Sequence, residues 1–198
     1  MDKDSASEAL LSFWFGAEAD DGAIARRQAP LWWSKDPELD RSLRERFEAE
    51  LQGAGAGWPE TPRGRLARVI LLDQIPRNLY RGTARAFAWD GPARQQAQAS
   101  LALGDETRLH PIERVFLYMP FEHAEDRELQ DLAVDRFGAL CAAVPAAQRQ
   151  TFEGFLDFAL RHRDIIRRFG RFPHRNDILG RPSTAEETAF LKTPGSSF

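Results

Sequence analysis

The chain has a single cysteine, Cys141, among 198 residues. It cannot close an intramolecular disulfide, which excludes a disulfide scaffold and fits a reducing compartment. No apolar run approaches the roughly 18 residues that a membrane helix requires. The opening stretch, MDKDSASEALLSFWFG, carries acidic residues where a secretory signal needs basic ones. These absences lead to the expectation of a soluble, cytoplasmic protein. Two-residue alternation is never sustained, so strands are not expected. Short catalytic motifs are missing too: there is no GxSxG, no Walker loop and no dinucleotide fingerprint. The four histidines, at 110, 123, 162 and 174, show neither HxH nor HExxH spacing, so neither a metal nor another cofactor is expected. A net charge of -3 supplies no general attraction to nucleic acid or to an anionic membrane. Without a basic face around them, Trp32 and Trp33 read as packing residues rather than as a platform for stacked bases.

What is present is helix punctuation. Residues 6 to 15 are amphipathic and closed by Gly16. Asp36 before Pro37 is a cap followed by a first-turn proline, and Leu39, Leu43, Phe47 and Leu51 then recur every four residues up to the glycines at 53, 55 and 57. Thr61 and Pro62 repeat that start, and Leu66, Val69, Ile70 and Asp73 follow at helical spacing until Pro76 forbids more. Asp90, Gly91 and Pro92 open a helix that ends at Gly104. Pro111 opens a short one, Ile112 to Met119, that is apolar on nearly all sides. Glu125 and Asp126 favour the next start, with Leu129, Leu132, Ala133, Phe137 and Leu140 on its buried face. The longest helix spans about 148 to 169, with Phe152, Phe155, Ala159, His162, Ile166 and Phe169 along one seam. Ser183 and Glu186 read as a capping box for a last helix through Leu191. Connections are short and no linker divides the chain. The reading is all-α: one domain over residues 1–198, with an ordered core at 6–191 and a frayed tail at 192–198, built as a bundle of antiparallel helix pairs.

Three polar clusters fall where this pattern expects little water. Asp73 and His162 lie on apolar stripes, and a buried carboxylate needs a cation or several N–H donors. Arg77, four residues on, and the arginines near 171 to 175 are the candidate partners. Glu122 and His123, in FEHAED, leave the most apolar helix directly. They are the candidate acid/base pair, the bland alternative being an ion pair and a helix cap. Finally, FGRFPHRN brings Arg171, His174, Arg175 and Asn176 together after a helix that carries Arg161, Arg163, Arg167 and Arg168. Guanidinium forks suit a carboxylate or a phosphate, but arginines at a helix C-terminus also simply complement its dipole and pair with surface acids. Cys141, beside Leu140 and before two alanines, reads as core.

DQIPRN at 73 to 78, FLYMPFEHAED at 116 to 126, RFGRFPHRN from 168 and LGRPSTAEETAFL up to 191 resemble, in order, the bacterial family catalogued as domain of unknown function nine hundred and twenty-four. Ala124 stands where the family's usual EHSED has Ser, which argues against an essential hydroxyl there. The resemblance implies an all-helical relative of tetratricopeptide proteins, a right-handed α-α superhelix, and brings no activity with it. It also suggests that the chemically odd segments meet. The expected site takes Glu122 and His123 as proton-moving groups. Asp73, Arg77, Asn78, His162, Arg171, His174, Arg175 and Asn176 are its ligand-binding groups, around a hollow of roughly 300 Å³ or more. Its ligand is a small phosphate or carboxylate. The alternative is a tetratricopeptide-like scaffold that grips a peptide, with the same polar residues forming a structural network. Nucleic acid and membrane are not expected partners, and association of identical copies is compatible with the composition without being required by it.

Overall fold

Side-chain caps read from the sequence set the starts of three helices. The computed structural model describes residues 3–197, with side chains from residue 6 onward. The outermost residues assigned to the domain and to its tail, 1, 2 and 198, lie outside the described residues. The helices are α1 (Lys3–Phe15), α2 (Asp21–Trp33), α3 (Pro37–Gln52), α4 (Pro62–Asp73), α5 (Ile75–Leu79), α6 (Asp90–Ala102), α7 (Pro111–Glu122), α8 (Arg127–Ala143), α9 (Arg149–Phe169) and α10 (Ala185–Phe190). Short 3-10 turns cover Ala84–Phe87, Asp105–Arg108 and Pro173–Arg175. No strand occurs among the described residues. Asp36 Oδ1 accepts from the Glu38 N–H at 2.9 Å, Thr61 Oγ1 from Gly64 at 3.1 Å, and Asp126 Oδ1 from Glu128 and Leu129 at 2.9 and 3.0 Å. Each cap satisfies amide donors that the first helical turn leaves without partners.

Helix α4 is the centre. Leu66, Val69, Ile70 and Leu71 are fully buried, and each contributes about 1.5–3 kcal/mol by leaving water. The helix packs against α1, α3, α5, α6 and α7, so its apolar residues are needed on every side. Helix α7 is apolar all round for the same reason and also packs against α8, which in turn lies against α9. Short reversals at 123–126 and 144–148 make α7/α8 and α8/α9 antiparallel pairs. Phe116 of α7 anchors an aromatic group, with ring centroids 4.7 Å from Trp32, 5.4 Å from Phe15 and 5.6 Å from Trp14. Cys141 is buried and free, as its neighbours implied.

Four elements differ from the sequence expectation. Helix α2 was not anticipated, because Gly22 and Pro30 interrupt its pattern. Asp20 nevertheless caps it, accepting from Ala23 at 2.8 Å, and Trp32 buries its last turn. Pro76 stops α4 but starts α5, sitting in the first turn where a missing N–H costs nothing. Helix α7 runs past Pro120 to Glu122, so its end lies three residues beyond Met119. The last capping box is Thr184 with Glu187, one residue along from Ser183 and Glu186. The Ser183 hydroxyl is engaged elsewhere, 3.0 Å from Asn176 Nδ2.

Candidate functional site

Three chain breaks converge on one buried region. At the first, Asp73 ends α4 with the Gln74 N–H bonded to Ile70 O at 2.9 Å. The new helix axis that starts at Ile75 then swings Arg77 back over Asp73. At the second, α7 ends on Glu122, with His123 as its C-terminal cap. At the third, Gly170 takes a left-handed φ of 72° to end α9, and the Pro173–Arg175 turn directs Arg175 inward.

Asp73, 1% exposed, is the anchor of the cluster. Its Oδ1 lies 2.9 Å from His123 Nδ1 and 3.5 Å from Arg77 Nη1, and its Oδ2 accepts from Gln74 Nε2 at 2.5 Å. Burial alone would raise its pKa, but the positive field of Arg77 and the bond from His123 outweigh it, so the group is held well below the usual carboxylate range. For His123 the balance goes the other way. Burial dominates the favourable Asp73 charge and lowers its pKa, leaving a neutral ring near pH 7. An ionised carboxylate can only accept, so the single ring proton sits on Nδ1 and faces Asp73. Nε2 therefore carries a lone pair, and the side chain is 15% exposed.

The two arginines come next. Arg77 Nη1 donates to Asp90 Oδ1 at 2.9 Å, and Arg175 Nη1 lies 3.5 Å from Asp90 Oδ2 and donates to the His123 carbonyl at 3.1 Å. The Arg175 guanidinium is stacked between Phe172 and Phe87, 4.4 and 4.7 Å from their ring centroids. Burial and the neighbouring Arg77 charge push its pKa down to about 10, so it stays protonated. Two N–H-bearing atoms of this pair, Arg77 Nη2 and Arg175 Nε, are buried without an acceptor among the described residues.

Behind these groups, Glu122 Oε1 and the Phe158 carbonyl flank His162 Nδ1 at 3.0 and 2.8 Å, and the His123 and His162 rings are 6.2 Å apart. Glu122 thus pairs with a histidine, not with an arginine. His174 packs against Phe172, and burial followed by the Arg175 charge brings its pKa down to about 4.

Three of the expected site residues point elsewhere. Asn78 donates to Gln74 O at 3.1 Å and accepts from Arg81 Nη2 at 2.9 Å, on the side of α5 that faces α3. Arg171 forms a two-pronged pair with Glu187 at 2.6 and 2.8 Å, which ties α10 to the end of α9. Asn176 accepts from Arg181 Nε at 3.1 Å and donates to Ser183. Arg163 and Arg167 lie beside the surface carboxylate of Asp131 at 4.0 and 2.6 Å. Two hollows of about the expected size, roughly 300 Å³, lie away from the cluster. One of those, about 300 Å³, lies among Phe15, Ile24, Arg63, His110 and Glu113; the other, about 330 Å³, is lined by Glu18, Ala23, Arg26 and Arg27.

The sequence reading missed Asp90, which bridges the two arginines, and Glu125, which holds Arg181 at 2.6 and 2.8 Å while accepting from the Phe172 N–H at 2.8 Å. Both lie in helix-start patterns, and a start signal conceals a side chain that is used for something else. No group of three or more potential metal ligands occurs among the described residues.

The segments that build this cluster, between Asp73 and Arg175, lie inside the stretch that one protein family matches. The family described as bacterial protein of unknown function (DUF924) matches residues 10–195. The chain belongs to that family. A solved structure of a protein of unknown function from Agrobacterium tumefaciens is 35% identical with a TM-score of 0.81, covering 96% of this chain and 99% of that one. No curated protein matches the chain. The likeness to that solved structure thus supports the architecture around the cluster and carries no activity to it. No helix among the described residues is long and apolar enough to cross a membrane.

Proposed function

We propose that Asp73, His123, Arg77 and Arg175 form a small-molecule site that binds an anionic group, a phosphate or a carboxylate, and that His123 takes a proton from the bound ligand through Nε2. The observation that carries this reading is the pair of buried arginine atoms, Arg77 Nη2 and Arg175 Nε, that still lack an acceptor beside a histidine whose tautomer Asp73 fixes. A buried donor without a partner costs about 1–3 kcal/mol, a cost that an anion at this position would offset. Asp73 acts here as a positioning residue, and Glu122 with His162 buttresses the ring from behind. Cytoplasmic small acids or phosphate esters fit such a site.

Thermal-shift titration with phosphorylated and carboxylated metabolites tests it. A ligand at 100 times its Kd stabilises by about 2.7 kcal/mol, roughly 5–10 °C for a chain of this size. That shift should vanish in Arg175→Ala while the variant remains folded.

A second reading is favoured by the charge balance of the cluster: Asp73 and Asp90 already neutralise Arg77 and Arg175. In that reading the groups are a network that fixes helix register, as in a peptide-gripping scaffold of tetratricopeptide type. Glu122→Gln and Arg175→Ala would then lower stability sharply, and no small acid or phosphate ester would shift the wild-type protein.

A further inference from the structure

We infer that the ligand of this site is a carboxylate, and that Asp90 is its built-in stand-in, displaced when the ligand binds. The inference rests on the anion-site reading above and adds the chemical class and the competing residue. Asp90 presents its two oxygens to two different guanidinium groups, Oδ1 to Arg77 at 2.9 Å and Oδ2 to Arg175 at 3.5 Å. The seat between the arginines is therefore matched to a planar group with two oxygens, and a carboxylate free of the α6 backbone can settle deeper than Asp90 does, toward Arg77 Nη2 and Arg175 Nε, which Asp90 leaves without an acceptor. Asp90 has no other hydrogen-bond partner among the described residues, and it is 23% exposed where Arg175 is 8% exposed, so it covers the outer side of the seat.

Leaving that seat is not costly for Asp90. It is the first residue of α6, and rotation about its side-chain bonds places the freed carboxylate in water at a helix N-terminus, where the backbone dipole favours negative charge. The entering carboxylate restores the charge that Asp90 removes, so the exchange leaves the buried cluster neutral. A phosphate dianion would instead bring an extra charge and a third oxygen toward Asp73, whose Oδ1 is already 3.5 Å from Arg77 Nη1. The geometry thus selects one ligand class by charge count as well as by shape.

The test compares acetate with inorganic phosphate on the wild-type chain, Asp90→Ala and Asp90→Asn, by thermal shift and calorimetric titration. If Asp90 occupies the seat in at least nine of ten molecules, its removal tightens apparent acetate binding about tenfold or more. Asp90→Ala should also regain with acetate the stability that it loses without it, and the double variant Asp90→Ala/Arg175→Ala should not. Asp90→Asn preserves the shape of the side chain and serves if the alanine variant does not fold. In the wild type, carbon NMR of the aspartate carboxylates should show one resonance moving toward the free value as acetate is added. Equal acetate affinity in the wild type and both variants, or tighter binding of phosphate than of acetate, overturns this inference and leaves the anion site standing. Absence of any response to either anion in all three proteins removes the anion site itself.

Discussion

Replacing Asp73 by Asn tests the anchor of the cluster without changing its shape. The carboxylate is 1% exposed and lies within 3.5 Å of Arg77 and 2.9 Å of His123. Asparagine can still accept the His123 proton through Oδ1, so the tautomer survives, while the charge and the bond that Oδ2 accepts from Gln74 Nε2 are lost. Arg77 and Arg175 then share Asp90 alone, and one positive charge remains uncompensated in a region largely shut off from water. Removing one partner of a buried pair in this way costs about 3–5 kcal/mol. At about 2–4 °C per kcal/mol for a chain of this length, Tm should fall by roughly 6–20 °C. Urea unfolding followed by circular dichroism measures the change directly, with an unchanged slope signalling an intact native state. Asp73→Asn is also informative against Arg77→Met, because removing both charges together should cost less than the sum of the two single losses. A loss below about 1 kcal/mol for Asp73→Asn, with the slope unaltered, would refute the claim that this charge is load-sharing in a dry cluster.

Three further outcomes are expected. A Cβ added at Gly64, in the first turn of α4, would overlap the backbone carbonyl of Pro59; Gly64→Ala, which in an open helix gains about 0.5–1 kcal/mol, should here cost about 2 kcal/mol or more by thermal unfolding. Acid should weaken the fold from about pH 6.5 downward: His174 is neutral in the native state down to about pH 4, whereas the unfolded chain protonates it near 6.5. Stability therefore falls as pH drops through that window, by about 1 kcal/mol between pH 6.5 and 5 after allowing for partial exposure, with buried His123 adding in the same direction. His174→Gln should flatten the slope in a series of urea titrations. Glu125→Ala removes the acceptor of Arg181 and of the Phe172 N–H together, and should cost about 2 kcal/mol. Amide exchange should then quicken over residues 170–183 and remain slow in α4.

Local chemistry made most of the helices legible. Asp36 with Pro37, Thr61 with Pro62, and Asp126 each act through one side chain on amides two or three residues away, so a short window of sequence contains the whole cause. Helix α2 and the passage of α7 through Pro120 depend on something a window lacks. Trp32 is held by Phe15 and Phe116, and Pro120 is enclosed by the core around α7, so tertiary contact overrides two residues that would otherwise disfavour a helix. The same limit shaped the site. The stripe position of Asp73 required a partner, and Arg77, four residues along, was the near one. The charge of Arg175 was visible, but its direction was not, because that depends on Gly170 turning the chain and on the ring of Phe87, from a distant segment, receiving the guanidinium opposite the nearby Phe172.

Arg171 and Arg175 make the point most sharply, since they are four residues apart in one motif. Arg171 meets Glu187, a carboxylate that Thr184 has already drawn into a helix cap, and is thereby fixed toward α10. Arg175 meets Asp90, whose position at the start of α6 gives it no capping duty and leaves both oxygens available. Equal side chains in one stretch of sequence thus acquire different roles because the acids opposite them differ in what else they must satisfy. If that account is right, Glu187→Gln should loosen α10 and leave His123 undisturbed, whereas Asp90→Asn should shift the His123 ring resonances and leave α10 in place. Proton NMR of the imidazole signals and amide exchange over residues 184–191, measured on the same two variants, separate these outcomes; coupled changes in both regions would mean that the two arginine clusters act as one.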